Sequence, residues 1–192
     1  MNYMFIITGL SGSGKTYKLK QESEDKINIP LDNFINLDEV TKYYRKNKLP
    51  KNKYVQQFIS QYHFNVDKKY ISWENDKFNI HNQFIKYIST LDGTFYIEGI
   101  QFIKPYIDME FLVNNITGLY ITDKCPIVCL FSRIKRCINS DKSFKDKIKN
   151  LFIYDLNPVH IIEIFQLYKF ANYVSPHYDD IYKRRLKYEF MK

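Results

Sequence analysis

Apolar and polar positions along this 192-residue chain switch between two rhythms. Tyr3 to Thr8 is a short apolar, β-branched run that stops at Gly9, the pattern of a buried parallel strand entering a turn. A helix is expected from Lys15 to about Glu24. Ile27 to Leu31 reads as a second short strand, with Asp32 and Asn33 just beyond its carboxyl end. From Leu37 to Leu91 the pattern is mainly helical. Tyr54, Phe58 and Tyr62, then Phe84, Tyr87, Ile88 and Leu91, recur at helical spacing, and Pro50 breaks the run. Thr94 to Ile97, followed by Glu98 and Gly99, is the next strand, and Gly118 to Thr122 another. Pro126 opens a helix that carries Arg133, Lys135 and Arg136, with a looser segment around Asp141 to Asp146. Asn157 and Pro158 start a helix whose stretch Val159 to Phe170 is apolar on most faces, the mark of a buried helix. Ala171 to Ser175 is either a last strand or the end of that helix.

Strands alternating with helices predict an α/β fold with a parallel sheet. Neither a repeat nor a low-complexity linker interrupts the chain, and its length suits one hydrophobic core, so residues 1–192 are read as one domain. Hydrophobic residues at 45% and aromatics at 17% are too many for a disordered chain. The bias toward Lys, Asn, Ile, Tyr and Phe is also what an AT-rich genome produces, so part of the aromatic excess carries no structural message.

A formal net charge of +8 favours polyanionic partners, among them nucleotides and nucleic acid, though a solvated lysine surface gives the same number. Cys125, Cys129 and Cys137 are an odd set without a second ligand pair. His63, His81, His160 and His177 are scattered, so neither a disulfide framework nor a zinc centre is expected. The apolar run Met4 to Ile7 is far shorter than a secretory or spanning segment. The expectation is a soluble, cytoplasmic protein without a membrane partner.

One segment changes this picture. Gly9-Leu10-Ser11-Gly12-Ser13-Gly14-Lys15-Thr16 satisfies G-x-x-x-x-G-K-[ST] between an expected strand and an expected helix. At this composition a chance match arises in about two chains per thousand, and three of the six glycines fall inside the loop. Glycines allow the backbone to turn several N–H groups inward, and the helix N-terminus adds favourable potential for an anion. Gly9, Ser11, Gly12, Ser13 and Gly14 therefore form the candidate phosphate cradle. Lys15 would neutralise the β and γ phosphates of ATP, and the Thr16 hydroxyl would ligate Mg²⁺.

With these residues the chain resembles the P-loop kinases, most of all the uridine kinase, pantothenate kinase and phosphoribulokinase group, with polynucleotide kinases and zeta toxins more distant. The resemblance rests on four short islands. It implies a P-loop NTPase three-layer sandwich, with 37–91 as a helical insertion and about 126–146 as a lid-like helix. In Pro30-Leu31-Asp32-Asn33-Phe34 it places Asp32 as the base that orients the acceptor hydroxyl, although Asp32 and Asn33 also suit a plain Asx turn. In Tyr96-Ile97-Glu98-Gly99 it makes Glu98 the second residue of the metal shell. In Ser132-Arg133-Ile134-Lys135-Arg136 it makes Arg133 and Arg136, on one helix face, the arginines that offset charge on the transferring phosphate. Only five arginines stand among 29 basic residues, and Arg184 and Arg185 are read as surface. Tyr43, Tyr44, Arg45, Tyr62 and Trp73 either contact an acceptor or belong to the core.

The implied activity is ATP-dependent phosphoryl transfer to a small acceptor, a nucleoside or nucleotide first. A 5′-hydroxyl polynucleotide kinase and a non-catalytic ATP-binding module are the alternatives. A GTPase is disfavoured, because neither Asn-Lys-x-Asp nor Asp-x-x-Gly stands where a guanine switch requires it.

Overall fold

A computed structural model describes residues 2–61, 80–122, 125–140, 143, 145–147 and 159–189, with the backbone alone for 159 and 178–189. Tyr62, His63, Trp73, Asp141, Asn157 and Pro158 lie outside the described residues, and the side chains of Arg184 and Arg185 are not described.

The chain runs β1 (Asn2–Gly9), α1 (Lys15–Asp25), a 3-10 turn (Leu31–Asn33), β2 (Phe34–Asn36), α2 (Asp38–Lys46), α3 (Lys53–Gln61), α4 (Ile80–Ser89) and β3 (Gly93–Glu98). A second 3-10 turn (Ile100–Ile103), α5 (Met109–Asn115), β4 (Gly118–Thr122), α6 (Pro126–Ile138) and α7 (Val159–Glu189) follow. The four strands form one sheet in the order β2-β3-β1-β4. All pairings are parallel, with Ile7 opposite Glu98 and Tyr120, and Asn36 opposite Glu98. Every carboxyl end therefore points the same way, and Gly9, Asn36, Glu98 and Thr122 mark one edge.

Strand alternation sends the side chains to two faces. Phe5, Ile7 and Tyr96 pack with Leu19 of α1. The rings of Phe5, Tyr96 and Phe34 stack across three strands at 4.8 and 5.0 Å. On the other face Met4, Ile6, Ile35, Phe95, Ile97 and Leu119 meet Val40, Phe58, Phe84, Leu112 and Phe170 from α2, α3, α4, α5 and α7. The result is an α/β fold, a parallel sheet flanked by helices on both faces, as three layers require.

Local chemistry starts the helices that frame the edge. Asn36 Oδ1 accepts the Asp38 N–H at 2.9 Å and opens α2, which ends on Asn47 in the left-handed region (φ 53). Asn52 Oδ1 accepts from the N–H of Tyr54 and Val55 at 3.0 and 3.3 Å, capping α3. Pro126 occupies the first turn of α6, where its missing N–H costs nothing.

Two expectations need correction, and one open alternative is decided. Residues 27–31 are not a strand: Ile27 and Leu31 are exposed at 88% and 76%, and Pro30 has no N–H for a ladder. The second strand is instead the three-residue Phe34–Asn36. Ala171 to Ser175 is helix, and α7 continues through Pro176. That helix is covered on one stripe, with Glu163, Phe170 and Val174 buried while Ile161, Ile162, Phe165 and Tyr168 are exposed. In the segment expected to be lid-like, about 126–146, α6 runs Pro126–Ile138.

Candidate functional site

The turn between β1 and α1 is shaped by three glycines at positive φ: Gly9 (144), Gly12 (87) and Gly14 (97). Gly14 serves as the left-handed N-cap of α1, so the free N–H groups of the first helical turn open onto the loop. Gly12 is also required by space. A Cβ there would lie 2.5 Å from the Cys129 carbonyl oxygen and 3.0 Å from Arg133 Cγ, because α6 rests directly on the loop. Lys15 Nζ bends back to donate to the carbonyls of Gly9 (3.1 Å) and Leu10 (2.8 Å).

Across the sheet edge, Thr16 Oγ1 donates to Glu98 at 3.0 and 3.2 Å, and Asn36 Nδ2 donates to Glu98 Oε1. Glu98 is the last residue of β3 and only 3% exposed. The Leu37 N–H donates to its carbonyl at 2.9 Å, and the Gly99 N–H to that of Ile7 at 3.0 Å, so the backbone on both sides of the carboxylate is held.

Beside this pair lies a cavity of about 250 Å³, with Lys15, Thr16, Glu98, Asp38 and Arg136 among its walls. Four elements contribute them: α1, β3, α2 and α6. Burial holds the Lys15 ammonium below the usual lysine range, while the carboxylates of Glu98, Asp38 and Glu163 pull it back up. Burial pushes the Glu98 carboxyl above its ordinary range, opposed by the Thr16 hydrogen bond and the Lys15 charge. Burial thus disfavours the charged forms of both Lys15 and Glu98, and a ligand carrying charge of both signs would relieve them.

The expected residues divide clearly. Gly9, Ser11, Gly12, Ser13, Gly14, Lys15, Thr16, Glu98 and Arg136 sit in the loop or around the cavity. Arg133 is buried beside Gly12 rather than on the cavity wall, and Arg136 is exposed toward it. Asp32 is elsewhere. It precedes β2, and its neighbour Asn33 bonds the Thr94 carbonyl near the start of β3, so it occupies the amino edge of the sheet, on the order of 10 Å along β2 from Asn36. There it faces Lys53 at 3.6 Å. Moving the second strand from 27–31 to 34–36 moves the first carboxylate beyond its carboxyl end from Asp32 to Asp38. Tyr44 is core, with its hydroxyl pushed up to about 12 by burial, and Tyr43 packs edge-on against it at 5.1 Å.

No protein-family model matches this chain, and no curated protein matches it either.

Three residues escaped the sequence reading: Asn36, Asp38 and Gln101. Gln101 Nε2 donates to Asp38 Oδ1 (2.5 Å) and to Thr41 Oγ1 (3.3 Å), and Thr41 Oγ1 pairs with His81 Nε2 at 3.0 Å. His81 is 1% exposed, and burial drops its imidazole to about 4, so it is neutral at pH 7. The one available signal was the Asn36-x-Asp38 spacing after an aromatic–β-branched pair, but three residues are too few for a periodicity to register. Among the described residues, no three or more His, Cys, Asp and Glu gather as a metal cluster, and no helix is long and apolar enough to cross a membrane.

Proposed function

We propose that this protein is a P-loop kinase that moves the γ-phosphoryl group of Mg-ATP to a hydroxyl or phosphate of a small acceptor, with a nucleoside or nucleotide as the leading class. The observation that carries this reading is the convergence of Lys15, Thr16, Glu98, Asp38 and Arg136 on one cavity beside a glycine loop that opens a helix. Ligands of parallel α/β sheets sit outside the carboxyl ends of the strands, which is where these groups meet.

In this mechanism the loop N–H groups and the first turn of α1 receive the phosphates. Lys15 exchanges the carbonyls of Gly9 and Leu10 for phosphate oxygens, a trade that restores charge compensation to a buried ammonium. The Thr16 hydroxyl and the Glu98 carboxylate are adjacent hard oxygen donors. They fit Mg²⁺, which takes few protein oxygens and completes its shell with water and phosphate. When bound, the ion would neutralise charge on the β and γ oxygens. Asp38 takes the place first given to Asp32: it receives the proton as the acceptor oxygen bonds to γ-phosphorus and the bond to the ADP oxygen breaks. Arg136 offsets charge on the transferring group, and Arg133 helps to seat α6 on Gly12.

The test is transfer of labelled γ-phosphate from Mg-ATP to water, nucleosides, nucleoside monophosphates and 5′-hydroxyl oligonucleotides. Lys15→Ala and Asp38→Asn are run beside the wild type. Transfer to one acceptor, reduced by about 100-fold or more in both variants, is the expected result. Full transfer by Asp38→Asn would remove the base. Nucleotide binding without transfer, even to water, would return the chain to a non-catalytic role.

A further inference from the structure

Gln101 has no part in the mechanism above, yet its position is costly and specific. It follows β3 in the turn Ile100–Ile103 and is 6% exposed. Both N–H groups of its amide are committed, one to Asp38 Oδ1 and one to Thr41 Oγ1. Its Oε1 is buried and finds no hydrogen-bond partner among the described residues. A core chosen for stability alone would hold an apolar side chain of the same length, since an unsatisfied buried oxygen works against folding.

We propose that Gln101 is a positioning residue for phosphoryl transfer, tying Asp38 Oδ1 so that Oδ2 is left to receive the acceptor hydroxyl. This rests on the kinase reading given above. Among the described residues no hydrogen bond reaches Oδ2, whereas Oδ1 is held by an amide that is itself held from behind.

The chain of bonds runs on into the core. Thr41 Oγ1 accepts from Gln101 and pairs with Nε2 of the buried, neutral His81 imidazole. His81 stacks on Tyr106 at 5.9 Å, which anchors the far end in the core. A carboxylate at the cavity wall is thereby connected, through an amide and a hydroxyl, to a buried ring.

Gly99 makes room for this arrangement. Its φ of 176 is extended and open to any residue, so torsion does not demand glycine here. Space does, because a Cβ would lie 2.6 Å from Gln101 Oε1 and 3.0 Å from Leu37 Cβ. The glycine after Glu98 lets the glutamine side chain fold under the backbone and reach Asp38.

The experiment measures Mg-ATP turnover, with water and with the acceptor panel as phosphate receivers, for Gln101→Met, Thr41→Val, Gly99→Ala and the double variant Gln101→Met/Gly99→Ala. Mg-ATP affinity and melting temperature are measured in parallel. Losing a donor to an ionised group should lower kcat by about 10- to 100-fold in Gln101→Met. Mg-ATP affinity should stay within about twofold, and the melting temperature within about 3 °C. Gly99→Ala should show the same kcat loss, with the double variant no worse than either single one, because all act through one carboxylate. Thr41→Val should show a smaller loss of the same kind. A purely structural role would lower the melting temperature and leave turnover per folded molecule intact. Wild-type turnover alongside an unaltered kcat in Gln101→Met sinks this proposal alone, as does a parallel fall in Mg-ATP affinity. A wild type that transfers to neither water nor any acceptor removes the kinase reading and this inference with it.

Discussion

Thr16 Oγ1 lies 3.0 and 3.2 Å from the two carboxylate oxygens of Glu98, so a hydroxyl from the first turn of α1 is joined to the last residue of β3 across the mouth of the cavity. The contact links the glycine loop to the strand beside it, and burial works against its charged partner. Because Glu98 is held above the ordinary value of 4.5, the folded protein carries the penalty of the ionised form at neutral pH. The penalty is complete above the folded value and disappears below the unfolded one. Glu98→Gln should therefore raise the melting temperature of the nucleotide-free protein at pH 7.5, with the gain shrinking as pH falls toward 4.5. It should also weaken Mg-ATP binding by about tenfold or more. Thermal melts at two pH values and a nucleotide titration with and without Mg²⁺ check both signs.

Gly12 faces two demands at once, a φ of 87 and a Cβ position 2.5 Å from the Cys129 carbonyl. Gly12→Ala should lift α6 away from the loop and cost about 1–3 kcal/mol of stability. Mg-ATP affinity should fall by at least about tenfold, since the amides proposed to receive phosphate would be displaced with it. Urea unfolding and calorimetric titration measure the two effects; unchanged affinity would separate α6 from nucleotide binding.

Asp32 and Asp38 can be compared directly. Asp32 and Lys53 are both about half exposed, at 44% and 47%, and stand 3.6 Å apart. Such a surface pair contributes about 1 kcal/mol at most. Asp32→Asn should leave phosphoryl transfer within about twofold of wild type, while Asp38→Asn lowers it by about 100-fold or more. The opposite ranking in a kinetic assay would reinstate Asp32 as the base.

His81 gives the fold a pH limit. Its imidazole titrates at about 4 in the folded chain against 6.5 when exposed. Between these values the unfolded state holds the extra proton, so stability falls as pH drops from 6.5 to 4. The loss is on the order of 3 kcal/mol when the shift is converted. Urea midpoints at pH 7, 5.5 and 4 should fall steeply for wild type and less for His81→Gln. Parallel curves would place the acid sensitivity in other groups.

Much of the scaffold was legible from residue order. β1, β3 and β4, helix α1 and the start of α6 lie where apolar rhythm and Pro126 put them, because these signals act over a few neighbouring residues. α7 shows the limit of that reading. Ile161, Ile162 and Phe165 are as apolar as Phe170 and Val174, yet only the latter two are covered, since which face meets the sheet depends on segments distant in sequence. The second strand shows it again. Ile27 to Leu31 is the more strand-like run, but Phe34–Asn36 is the segment that β3 accepts as its neighbour.

The sequence by itself determined the glycine loop, its lysine and threonine, and the acidic end of β3, because positive φ, helix initiation and strand termination are local properties of the chain. Tertiary structure alone decided that Asp38, not Asp32, stands at the cavity, that Arg136 reaches it while Arg133 is buried against Gly12, and that Gln101 holds Asp38. Those relations span up to about 120 residues of chain. They arise only when parallel pairing fixes the register of β2 on β3 and brings the carboxyl ends of the strands to one edge.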